Sequence, residues 1–156
     1  MHTVEIKTEY AKYDKDLNSV GNIDFDLKKD ESIGTQKFFS ISAPILDTLK
    51  QGKVLLIDEL DASLHPMMTR FLIKMFHDTE VNQHNAQLVF VTHDTNLLDS
   101  SLFRRDQIWL SEKDKYGATD IYSLAEFKNV RANENFEKNY LQGKYSAIPY
   151  LGKFNF

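Results

Sequence analysis

The sequence contains no cysteine, which excludes a disulfide framework and any thiolate metal site and is compatible with a reducing compartment. It also lacks any apolar run long enough to cross a bilayer. Its first ten residues, MHTVEIKTEY, alternate in polarity where a secretion signal would be uniformly apolar. A soluble cytoplasmic chain without a membrane partner is the expectation. No charge of one sign dominates: 19 Lys and Arg face 23 Asp and Glu, a net charge of -4. Such a balance exerts no global pull on nucleic acid or anionic lipid, and only a local basic patch could bind nucleic acid. Internal repeats and low-complexity segments are absent as well. So is a phosphate-cradling loop, which needs Gly six positions before the Lys of a Gly-Lys pair and Ser or Thr after it. The three Gly-Lys pairs end at Lys53, Lys144 and Lys153; Asp47, Lys138 and Ala147 stand six positions before them, and Val54, Tyr145 and Phe154 follow. None of these segments can hold a triphosphate.

What is present suffices for one ordinary core. With 156 residues and 42% hydrophobic content the chain has little room for two independent domains, so residues 1–156 read as one domain or a large piece of one. Alternation from Val4 to Tyr10, and again at Ile23, Phe25 and Leu27, predicts an antiparallel strand pair. Helical spacing from Thr35 to Leu49 predicts a helix that Pro44 should kink or split and Gly52 should end. Val54 to Ile57 and Gln87 to Thr92 are short continuous apolar runs, the pattern of parallel strands covered on both faces. Between them, Pro66 opens a helix whose expected apolar face is Met67, Phe71, Leu72, Met75 and Phe76, fading near Asp78 to Asn85. Gln107 to Leu110 reads as a third buried strand, followed by a turn at Asp114 to Gly117 and an edge hairpin strand at Thr119 to Ser123. The order predicts an α/β fold, a mostly parallel sheet flanked by helices, with an antiparallel edge hairpin.

Three segments carry chemistry. VLLIDELDASLHP, residues 54–66, sets two adjacent carboxylates where a buried strand emerges, the edge at which ligands gather in open α/β sheets. Asp58 there suits hydrated magnesium, and Glu59 suits an attacking water. VTHD, residues 91–94, ends another apolar strand in His93, which can donate to a terminal phosphate or simply cap the sheet. ESIGTQ, residues 31–36, opens a helix with small residues. Its free amides and the hydroxyls of Ser32 and Thr35 make an anion site, although an ordinary N-cap is the plainer account of that segment alone.

Taken in order, these elements resemble the second half of an ABC-type nucleotide-binding domain, part of the P-loop NTPase fold. Within that superfamily the chain is similar to bacterial AAA/ABC-like ATP-binding proteins of the abortive-infection and antiphage-defence type, relatives of structural-maintenance-of-chromosomes ATPases. The resemblance runs from about Gly21 to Gly152 and rests most on SIGTQ, LLIDELDASLHP, NAQLVFVTHD, RRDQIW and YLQGKYSAIP. It implies ATP and Mg2+ as ligands, with Asp58 as the Walker B aspartate, Glu59 as the catalytic base and His93 as the switch histidine. It further implies that Ser32, Gly34 and Thr35 form the signature loop reaching ATP on a partner subunit, and that Ala62, Ser63, Leu64 and His65 form the D-loop. His65 stands where transporters usually carry an acid, and Glu31 and Ile33 replace the Leu and first Gly of the common signature. Because the P-loop of such domains lies in their N-terminal half, the resemblance implies a C-terminal fragment or split partner, inactive alone. It would work as a homodimer or with the missing N-terminal ATPase half.

The remaining polar residues invite blander readings. His65, His77, His84 and His93 lack zinc-ligand spacing and read as solvated or capping groups. Arg104 and Arg105 read as partners of surface acids, and Tyr140, Tyr145 and Tyr150 with Lys138, Lys144 and Lys153 as aromatics sealing the core. Two rival functions are a non-hydrolysing module that docks a nuclease or another chain, and a metal-dependent nuclease built on Asp58 and Asp94. The nuclease lacks the glutamate-led strand that such a site needs.

Overall fold

The computed structural model describes residues 4–128, 130–131 and 134–149, and Cα packing divides the chain into two compact units, Met1–His93 and Asp94–Phe156.

In the first unit, alternation produces the expected hairpin. Strands β1 (Lys7–Tyr13) and β2 (Ser19–Asp26) pair antiparallel from Lys7 opposite Asp26 to Lys12 opposite Gly21, with a bulge between Lys12 and Tyr13. The Asp14 carboxylate closes the turn by accepting the Asp16 and Asn18 amides, 2.9 Å each, and the Tyr10 and Phe25 rings meet edge to face at 5.3 Å. Helix α1 (Ile33–Gln51) begins at Ser32, whose Oγ accepts the Thr35 amide at 3.1 Å.

Pro44 does not split α1, contrary to the sequence expectation. Ser40, whose carbonyl loses its partner, and Pro44 both lie on the exposed side, where water can satisfy that carbonyl. Ile45, Thr48 and Leu49 continue the buried stripe past it. Gly52 ends the helix in the left-handed conformation, φ 64°, returning its amide to the Thr48 carbonyl. A β-carbon at Gly52 would also run into the His84 carbonyl. Gly52→Ala is therefore expected to destabilise the protein by about 1–3 kcal/mol, read as a lower urea midpoint at unchanged slope.

Strands β3 (Val54–Ile57) and β4 (Gln87–Phe90) pair in parallel, Val54 with Gln87 through Ile57 with Phe90. Between them runs α2 (Pro66–His77), capped by His65, whose Nδ1 accepts the Met67 amide at 3.2 Å. Helix α1 packs on β3 and α2 on β4. The expectation of strands covered on both faces is corrected. Leu55, Ile57, Leu88 and Phe90 are partly covered, whereas Val54, Leu56, Val89 and Val91 are exposed, Leu56 at 75%. The mostly parallel sheet is likewise represented, among the described residues, by this one parallel pair.

The apolar face expected for α2 is corrected too. Thr69, Leu72, Ile73 and Phe76 form the buried stripe, while Met67 and Phe71 are exposed. At about 100° per residue these two fall on the far side of the helix from Leu72 and Phe76.

The second unit is built around Ile108, Leu110, Leu124, Val130, Phe136 and Tyr145, all buried. The third buried strand expected at Gln107 to Leu110 is displaced, because a short 3-10 turn occupies Arg105–Gln107. Strand β5 (Trp109–Lys113) pairs antiparallel with β6 (Thr119–Ser123), with no parallel neighbour among the described residues. A short α3 (Phe136–Leu141) follows. Tyr140 and Tyr145 do seal this core: the Tyr140 hydroxyl donates to the Ala147 carbonyl at 2.9 Å, and the buried Tyr145 hydroxyl accepts from Asn139 at 2.9 Å. Desolvation first, then the nearby Glu112 carboxylate, pushes the Tyr122 hydroxyl up to about 12, and it donates to the Tyr145 carbonyl at 2.9 Å. Tyr150 and Lys153 lie outside the described residues.

Candidate functional site

Two parallel strands in register deliver their following residues over the same edge, and this places the first group of candidate residues. Asp58 and Glu59 leave β3 where β4 also ends, and the ladder continues past both strands. The Val91 amide donates to the Ile57 carbonyl at 3.0 Å, and the Leu60 amide donates to the Val91 carbonyl at 3.2 Å. His93 follows two residues later. Leu60, fully buried, anchors the turn from below, while Asp58, Glu59 and His93 are exposed at the rim.

The backbone here is unusual. Glu59 has φ 50° and Ser63 φ 64°, left-handed values that side chains other than Gly adopt at a cost of about 1–2 kcal/mol each. The fold holds them by bonding the Ala62 amide to the Glu59 carbonyl at 3.1 Å and the Leu64 amide to the Asp61 carbonyl at 3.0 Å. Left-handed backbone retained at a carboxylate where two parallel strands end is the kind of strain that collects at functional turns.

The second group gathers around the start of α1. The Ser32 and Thr35 hydroxyls lie 2.9 Å apart, and Gly34 sits so close to the loop after β3 that a β-carbon would stand 2.8 Å from the Ser63 carbonyl oxygen. Gly34 and Ser63, far apart in sequence, are thus brought together. Only glycine at position 34 permits that approach.

Glu31 is the residue that sequence reasoning undervalues, since it registers there only as a departure from the common signature. Its carboxylate accepts the Thr8 hydroxyl in a short hydrogen bond and the Tyr10 hydroxyl at 2.8 Å, both from one face of β1. The Thr8 hydroxyl foremost, then Tyr10 and, more weakly, Thr35 hold the Glu31 carboxyl below the usual carboxylate range, against partial desolvation. The bond to Glu31 in turn raises Tyr10 above the ordinary phenol range, so its proton stays in place to donate. The available signal was the shared strand face of Thr8 and Tyr10; nothing local linked it to Glu31.

The metal chemistry is narrow. Among the described residues no group of three or more His, Asp or Glu side chains could hold an ion. One or two rim carboxylates instead fit Mg2+, which keeps several waters and shares its remaining ligands with phosphates. Asp58 and Glu59 are the exposed carboxylates that follow β3 at this edge. Elsewhere, Arg104 makes a bidentate pair with Asp106, 2.8 and 3.1 Å, while Arg105 donates to the Val130 carbonyl.

The described geometry thus brings an acidic couplet and a histidine to the carboxyl edge of one parallel strand pair. A family model described as "AAA domain, putative AbiEii toxin, Type IV TA system" matches residues 4–99. The chain belongs to this family, whose class is that of nucleotide-binding, ATPase-type proteins with the P-loop α/β fold. No curated protein matches the chain. No described helix is long and apolar enough to cross a membrane.

Proposed function

We propose that this chain is the carboxylate-bearing half of an ABC-type ATPase, completed by a P-loop from an N-terminal half or a partner chain. The observation that carries this reading is the parallel register of β3 and β4, which sends Asp58, Glu59 and His93 over one edge. Glu59 accepts a proton from the water that attacks the γ-phosphate in line, and His93 donates to that phosphate as charge spreads over its oxygens. Asp58 would hold a hydrated Mg2+, which when bound would neutralise charge on the phosphates. Ser32, Gly34 and Thr35 reach ATP bound on the opposite subunit, and Ser63 lies in the loop that faces it across the dimer. The exposed apolar face of Val54, Leu56, Val89 and Val91 supports a missing layer, because a parallel sheet is ordinarily covered on both sides. The family description names a toxin of a type IV toxin–antitoxin system, and antiphage defence in the cytoplasm is the setting that fits it.

The test is phosphate release from the chain joined to its P-loop-bearing half. Turnover should appear on joining and fall about a hundredfold in His93→Ala, with nucleotide affinity retained. Silence of the joined protein overturns the reading. It would favour a non-hydrolysing module that docks a nuclease or other chain through the same exposed sheet face.

A further inference from the structure

The hairpin ahead of the signature turn is bound to it by more than chain connectivity. Between β2 and α1 lie only six residues, and their turn is locked. The Asp26 carboxylate accepts the Lys28 and Lys29 amides at 2.9 and 3.0 Å, Asp30 returns its carboxylate to the Asp26 amide at 2.7 Å, and the Asp30 amide donates to the Asp26 carbonyl at 2.9 Å. From the helix side, Gln36 reaches back with its Nε2 to the Glu31 carbonyl at 3.0 Å and to the Lys28 carbonyl at 3.4 Å. Glu31 stands where the two halves of this network meet. Its side chain is held by Thr8 and Tyr10, and its main chain leads directly into Ser32, the N-cap. The Ser32 and Thr35 hydroxyls lie 2.9 Å apart, and the Thr35 amide donates to the Ser32 Oγ at 3.1 Å, so both hydroxyls follow the main chain that Glu31 leads into.

From this we infer that Glu31 is a positioning residue, through which the β1–β2 hairpin, by Thr8 and Tyr10, fixes the direction of the Ser32 and Thr35 hydroxyls in the signature turn. This rests on the ATPase reading above and adds to it a component outside the nucleotide motifs. The physical reason is that the cap bond from the Thr35 amide to the Ser32 Oγ, and the pairing of the two hydroxyls, are held only as firmly as the backbone entering the helix, which the Glu31 side chain anchors. A carboxylate is the strongest acceptor at hand, and two hydroxyls from a rigid strand leave it one orientation. The contact of Gly34 with the Ser63 carbonyl then carries any displacement of the turn into the loop after β3.

Glu31→Gln keeps the shape and weakens the acceptor, while Tyr10→Phe removes one donor from an exposed position and leaves the hairpin able to fold. Two readouts are needed. In the chain alone, amide exchange at Thr35 and Gln36, which donate to Ser32, should quicken in both variants. In the joined, hydrolysing protein, Glu31→Gln should lower kcat about tenfold with affinity for nucleotide at the P-loop unchanged. Tyr10→Phe should lower it less, and the double variant should be no worse than Glu31→Gln, since both act through one bond network. Unchanged exchange, or unchanged kcat in a protein that Glu59→Gln silences, overturns the positioning role while leaving the ATPase reading intact. Absence of hydrolysis in the joined wild-type protein refutes the ATPase reading itself, and the positioning role with it.

Discussion

Glu59→Gln in the joined protein is expected to cut ATP turnover by about a hundredfold to ten-thousandfold while nucleotide still binds, the loss typical of a removed general base. Glutamine preserves the size of the side chain and cannot take a proton from water. It also leaves the left-handed backbone at position 59 and the anchoring of Leu60 as they are. The variant should therefore trap the nucleotide-filled state, visible as persistent ATP-dependent dimers by size-exclusion chromatography. Turnover equal to wild type would remove Glu59 from the base role. Turnover lost together with nucleotide binding would point to collapse of the strand end instead.

Gly34→Ala is expected to destabilise the chain by about 1–3 kcal/mol, because a methyl group there would stand 2.8 Å from the Ser63 carbonyl oxygen, a main-chain atom that cannot swing aside as a side chain would. The opposing term is known. Alanine in a helix ordinarily gains about 0.8–1.0 kcal/mol over glycine, so a tight helix start with no collision would be stabilised. The sign of the shift in urea midpoint thus decides whether the two segments touch. A second substitution sharpens the test. Ser63→Gly removes the left-handed strain at φ 64° and lets its carbonyl move, so the double variant should recover part of the loss from Gly34→Ala. Full additivity of the two would place the collision elsewhere. In the joined protein, Gly34→Ala should also depress turnover, since the turn at Ser32–Thr35 and the loop after β3 then shift together.

Much of the first unit is legible in the sequence because its signals are local. A continuous apolar run, a polar couplet and a Pro-started helix within residues 54–66 specify a strand, its exit and the helix beyond, and the structure has β3, the turn and α2 in that order. The departures have equally particular causes. Pro44 reads as a break, yet whether it breaks α1 depends on which stripe the tertiary fold buries, and here it lies on the exposed side. Met67 and Phe71 read as covered by their hydrophobicity, although the stripe through Thr69, Leu72 and Phe76 runs on the other side of α2. The strand after Arg105 begins later, because a 3-10 turn takes up Arg105–Gln107, while its antiparallel pairing with β6 is the expected hairpin, closed by the Asp114 carboxylate accepting the Tyr116 and Ala118 amides at 2.8 and 2.9 Å. The bond between Thr8 and Glu31 joins residues 23 apart, and no periodicity announces it.

By itself the sequence determined which chemical groups stand at each strand end and helix start: Asp58, Glu59 and His93 after apolar runs, and Ser32 and Thr35 at a cap. Those choices follow from backbone preference and residue spacing within a few positions. Only the tertiary structure decided that Gly34 rests on Ser63 and that Glu31 is held by the hairpin. Such pairings depend on closing loops between distant residues and on excluding space for a side chain, and neither is written in the local pattern.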